Sequence, residues 1–153
     1  MTNTTAGSPS PNITDMFLDM HLEGVIRSGM GGVTLFVNGN VITGRPVSKG
    51  DFFRTTSIPN DDPEWDSLRA AADRWDQEDE EIRSLRQRDP ESLTEEELEL
   101  ANQSRYFINL VEAKFQTGAG ALAPTAGSGV CMQIRTDSVD GWTPGTLGTD
   151  AAQ

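Results

Sequence analysis

Gly32-Val-Thr-Leu-Phe-Val-Asn-Gly-Asn-Val-Ile-Thr-Gly-Arg-Pro-Val-Ser48 sets two β-rich runs around the dipeptide Asn38-Gly39. A two-residue Asn-Gly loop suits a type I′ turn, because both residues tolerate positive φ and the turn twists with its strands. By period two, Val33, Leu35 and Val37 share one face, with Thr34 and Phe36 on the other. In the return run Val41, Thr43 and Arg45 alternate with Ile42, Gly44 and Pro46. Pro46 cannot donate to a ladder, so pairing on that side should stop or bulge near it. The stretch reads as a β-hairpin.

Working outward, residues 14–28 read as an amphipathic helix, capped by Thr14 with Asp15 in its first turn and ended by Gly29. Ile13, Met16, Phe17, Met20, Gly24 and Val25 form its apolar stripe, expected to cover one side of a small sheet. After the hairpin, Lys49–Phe53 reads as a short helix or an extended edge. A longer helix should start at Asp62-Pro63, with Asp62 as cap and Pro63 in the first turn. Its stripe is Trp65, Leu68, Ala72, Trp75 and Ile82, and it ends near Arg86–Asp89. Asp89-Pro90 breaks the chain, and Ser92 with Glu95 reads as a capping box for a second helix reaching about Gln103.

Strand character returns from Tyr106 to Phe115, with Tyr106, Ile108 and Leu110 on one face and Phe107, Val111, Ala113 and Phe115 on the other. Two apolar faces predict a central strand and a buried Leu110. The Gly/Ala-rich stretch 117–129 reads as a mobile loop. Val130–Arg135 alternates as another strand, Thr136-Asp137 turns, and Ser138–Trp142 forms the last strand. The expected class is therefore α+β: a small five-stranded bent sheet or barrel, an N-terminal helix, and an inserted acidic helical hairpin at about 61–103. Residues 1–11 read as a disordered arm, 12–142 as one domain and 143–153 as a flexible tail.

The net charge of −12 is confined to one place. Residues 61–100 hold 16 acidic residues and 5 arginines, so that segment alone carries −11. Such a balance disfavours nucleic acid, whose binding rests on Lys and Arg neutralising phosphates, and disfavours an anionic membrane surface. No run approaches the roughly 20 apolar residues of a spanning helix, and no basic and apolar leader is evident. The expected compartment is the cytoplasm.

Catalytic signatures are sparse. One histidine and one cysteine cannot build a Cys/His zinc cluster, and no calcium loop motif occurs. His21 falls beside the apolar stripe and reads as a boundary packing residue. Cys131 falls within a strand as a small hydrophobe. Gly118-Ala-Gly-Ala-Leu-Ala123 matches a dinucleotide fingerprint in form, but Pro124 follows where a helix must open. The acidic run could pair carboxylates, such as Asp76 with Glu80, yet it reads as a solvated face. No enzyme activity, cofactor or metal is expected.

Two blocks carry a family resemblance. The run VTLFVNGNVITGRPVSKGDFF (33–53) and the pair RYFINLVEAKFQTG (105–118) and GVCMQIRTDSVDGW (129–142) resemble GvpU, an accessory protein family encoded in gas vesicle gene clusters. The acidic middle and the tails match it only in general character. The resemblance implies a minor component at vesicle surfaces, acting in assembly or in association between vesicles through structural or accessory vesicle proteins, or through self-association. The strand order also resembles Sm-like and SH3-like small barrels, which leaves an adaptor binding a peptide or a nucleic acid single strand as the alternative. Trp65 and Trp75 are the contact candidates, since Trp is enriched at interface hot spots. Glu78, Glu80 and Glu81 are the candidates for electrostatic control of association.

Overall fold

A computed structural model describes residues 13–57, 63–103, 105–116, 120–125 and 127–147. Strands β1 (Val33–Val37) and β2 (Asn40–Val47) form the expected hairpin, with Val37 opposite Asn40. Asn38 and Gly39 take φ of 51° and 83°, both positive as a type I′ turn requires. The full set is completed by β3 (Phe107–Gln116), β4 (Leu122–Ala123), β5 (Val130–Arg135) and β6 (Val139–Pro144). All pairings are antiparallel, in the order β4-β3-β2-β1-β6, and β5 also pairs with β3. A 3-10 turn over Thr136–Ser138 links β5 to β6 at opposite ends of a bent sheet that does not close. Of the two expected forms the bent sheet is present and a closed barrel is not, and the short β4 is an addition lying within the expected loop.

The irregularity of β2 falls between Thr43 and Arg45, and its ladder with β3 continues past Pro46 to Val47 and Asn109. Its partner is Glu112, a non-glycine residue at φ 54°. That extra residue shifts the alternation of β3, so Ala113 joins Ile108 and Leu110 in one core while Val111 faces the other. The expected grouping of Ala113 with Val111 is thus corrected, and Tyr106, outside the strand, is 71% exposed. Glycine leaves room on both sides of the bulge, tightly at Gly44 and of necessity at Gly129, whose φ is 115°. A Cβ on Gly44 would lie 3.1 Å from the Ala113 Cα, and one on Gly129 would lie 2.5 Å from the Glu112 carbonyl carbon.

Helix α1 (Ile13–Ser28) covers one sheet face. Leu18 and Leu22 pack with Val33, Leu35, Ile108, Leu110, Ala113 and Ile134. This corrects the expected stripe in part: Val25 is buried as expected, but Met16, Phe17 and Met20 are 56%, 57% and 67% exposed, and Leu18 and Leu22 are buried in their place. At 3.6 residues per turn, Arg27 stands seven residues after Met20 on the same line. Turning that line inward would bury a guanidinium against aliphatic side chains, which costs far more than the methionines return. The expected cap at Thr14 lies outside the described side chains.

Helix α2 (Lys49–Ser57) covers the other face, where Phe52 packs with Val47 and Val111, and Phe53 and half-buried Cys131 lie alongside. Helix α3 (Pro63–Gln87) rests on α2 where Gly50 meets the Ala72 carbonyl. The Asp62 cap lies outside the described residues. After a 3-10 turn at Pro90–Ser92, α4 (Glu95–Ala101) closes the helical hairpin. Its capping box is Thr94 with Glu97, two residues beyond the expected Ser92 and Glu95. Ser92 is engaged elsewhere, its hydroxyl donating to the Asp89 carbonyl at 2.7 Å.

The C-terminal boundary moves as well. Thr143 and Pro144 belong to β6, and the Gly145 amide donates to Gly32 O at 2.9 Å. The buried Thr34 and Thr43 hydroxyls share a hydrogen bond, and they also hold Gly145 O and the Leu147 amide. The expected loose tail therefore cannot start at 143; residues 148–153 lie outside the described set, as do 1–12.

Candidate interaction surface

Trp75 is half-buried, with its ring centroid 5.2 Å from Phe53 and the Lys49 ammonium 4.2 Å above it. These contacts fasten α3 to α2. The fastening is reinforced by Arg54, which donates to Asp73 at 2.6 Å and pairs with Asp76 at 2.7 Å. The hydrogen bond to Asp73, then that to Asp76, holds the Arg54 proton above the ordinary arginine range. Asp76 is thereby engaged, which leaves the imagined Asp76/Glu80 carboxylate pair without a free partner. Trp65 is half-buried in the first turn of α3.

Glu78, Glu80 and Glu81 are all exposed but do not converge. Glu78 and Glu81, three apart, lie on one side of the helix. Glu80 turns away to accept from Arg83 at 3.0 Å. The structure brings Trp75 to α2 and the three glutamates to water, and it does not gather the five nominated residues into one site.

What sequence reasoning missed lies on α1. Its second apolar arc, Met16, Phe17 and Met20, faces away from the sheet, with Gly24 one turn further on and no atom within 4 Å of where its Cβ would stand. Arg27 on that same line is the signal that could have found it. Along one flank, Asp19 and Glu23 accept from Arg105 at 2.9 and 3.2 Å. Glu23 also accepts from Arg83 of α3 at 3.2 Å, so one carboxylate is gripped by two arginines from distant parts of the chain. Asp79 stands beside this group. Its burial pushes the carboxyl up from 3.8, against the pull of Arg105 and Arg83. The Arg83 Nε is buried without a hydrogen-bond acceptor among the described residues.

His21 stacks on Trp142 at 5.4 Å, and its Nε2 donates to Gly32 O at 2.8 Å. The contacts tie α1 to the start of the hairpin, a packing role. The fingerprint-like run ends in strand β4 at Leu122–Ala123, where a nucleotide site needs a helix N-terminus. Among the described residues no group of His, Cys, Asp and Glu is arranged to hold a metal ion, and no helix is long and apolar enough to cross a membrane.

The described fold from residue 15 onward and the surface fall inside one family match. The family model for the gas vesicle protein GvpU-like matches residues 15–147. The chain belongs to the GvpU-like family. As a GvpU-like chain it is a gas vesicle-associated protein, and the matched span takes in α1 from residue 15, strands β1 to β6 and the acidic hairpin. No curated protein and no solved structure matches this GvpU-like chain.

Proposed function

We propose that this GvpU-like protein is a non-enzymatic accessory component at the cytoplasmic surface of gas vesicles, acting in vesicle assembly or in clustering through protein–protein contacts. The observation that carries the reading is the outer face of α1. It presents Met16, Phe17 and Met20 to solvent from a helix whose opposite face is anchored in the core. Apolar side chains held on a rigid element and left in water mark contact surfaces. The bent sheet and α2 supply the rigid support, and the acidic hairpin keeps the chain soluble.

Vesicle flotation tests this. Purified protein mixed with intact vesicles should rise with them. A variant carrying Met16→Ser, Phe17→Ser and Met20→Ser should stay in the subnatant while keeping the wild-type circular dichroism. Wild-type protein that remains in solution beneath the vesicles would overturn the proposal.

A further inference from the structure

We infer that the outer face of α1 seats a basic amphipathic segment of another protein, with apolar side chains on Met16, Phe17 and Met20 and flanking Lys or Arg against neighbouring carboxylates. The inference rests on reading this face as a contact surface and adds the chemistry of its occupant. Charge decides between occupants. Asp19 and Glu23 border the arc, and their side chains are 41% and 27% exposed even while bonded to Arg105. Arg83 bridges Glu23 to Glu80, which brings the acidic hairpin to the same flank. Residues 77–103 of that hairpin hold ten acidic residues against three arginines.

A second copy would bring another −12 of charge to the same place. An anionic membrane or a nucleic acid would also meet this field with like charge. A cationic amphipathic segment gains on both counts: its apolar edge leaves water and its charges meet opposite ones. Two thioethers and one phenyl ring make an adaptable surface, suited to a stripe of varied apolar residues. The open ground over Gly24 extends the seat by one turn, and exposed Arg27 on the same line ends it there, since a cation would repel the basic residues of the occupant. Such a contact, running from Met16 to Gly24 and so about two and a half helical turns long, falls short of the ~1,600 Å² of a standard stable interface, so exchange should be fast.

Fluorescence anisotropy with a labelled synthetic peptide of leucine and lysine tests this. One peptide places its leucines along one helical face, and a control of identical composition scatters them. The patterned peptide should bind more tightly than the control, with affinity falling as salt rises. The Ser variant at positions 16, 17 and 20 should lose about tenfold, and Glu78→Gln with Glu80→Gln and Glu81→Gln should flatten the salt dependence. Equal binding of the two peptides, or unchanged affinity in the Ser variant, overturns the inference. So does a dimer of the protein alone, by sedimentation, that the Ser substitutions abolish. If the Ser variant loses vesicle flotation while the wild type ignores both peptides, the contact surface stands and the basic occupant falls.

Discussion

Leu110 has no exposed surface and lies in the core cluster beneath α1, with Leu22, Leu35 and Ile108. Leu110→Ala should destabilise the fold by roughly 2–5 kcal/mol, because lost transfer energy and the residual cavity add. Denaturant titration checks it, and a variant as stable as wild type would contradict the core. His21 makes a contrasting case, with a ring stack and one hydrogen bond at a boundary. His21→Gln should cost about 0.5–1.5 kcal/mol through the lost stack and leave vesicle flotation unchanged. Lost flotation in a folded variant would show that the imidazole does more than pack. At this scale the hairpin was legible, since Asn38-Gly39 declares its turn through local backbone preference alone. The bulge at Glu112 was not, because the room for it is left by Gly44 in β2 and by Gly129 just before β5, both distant in sequence. No local pattern in β3 records those neighbours.

Elements were legible as types and less so as orientations. α1 was expected within one residue of its start, yet its sequence carries two apolar arcs and periodicity alone does not choose between them. The choice falls to Arg27 on one arc and to the Arg105 and Arg83 pairs that fix Asp19 and Glu23 at its flank. The nominated Trp75 is committed to holding α3 on α2, while the outer arc of α1 was hidden within the stripe assigned to the core. The second half of α3 and all of α4 bury no residue fully, and they are attached by half-buried Ile82, Leu85 and Leu98 together with ion pairs such as Arg83 with Glu23. Asp79 works against stability in its charged form, since burial raises its pKa above 3.8. Between 3.8 and the raised folded value, the folded protein keeps a proton that the unfolded chain has lost. Stability therefore falls as pH rises through that window. Asp79→Asn should raise Tm at neutral pH, and the gain should vanish as pH falls below the ordinary aspartate range. A gain that persists at low pH, or none at neutral pH, would reject burial as the cause.

For the whole molecule, charge sets the terms of association. Residues 61–100 carry −11 of the net −12; the ion pairs that Arg69, Arg83 and Arg88 make with Asp66, Glu80 and Glu97 stay within the hairpin, and Arg54 from α2 meets Asp73 and Asp76, which offsets only a small part of the excess. Two copies approaching with this field repel unless ions screen it. The Debye length shrinks from about 10 Å at 0.1 M salt to about 3 Å at 1 M, so salt should favour self-association and vesicle clustering. Glu78→Gln, Glu80→Gln and Glu81→Gln together should do the same at low salt, since all three side chains are exposed. Binding of a basic segment responds with the opposite sign, because screening weakens attraction as it weakens repulsion. Light scattering of the protein alone and anisotropy of the patterned peptide, followed across one salt series, should therefore diverge. Scattering that stays flat, with the Gln triple variant indistinguishable from wild type, would leave the acidic hairpin as a solubilising face without control over association.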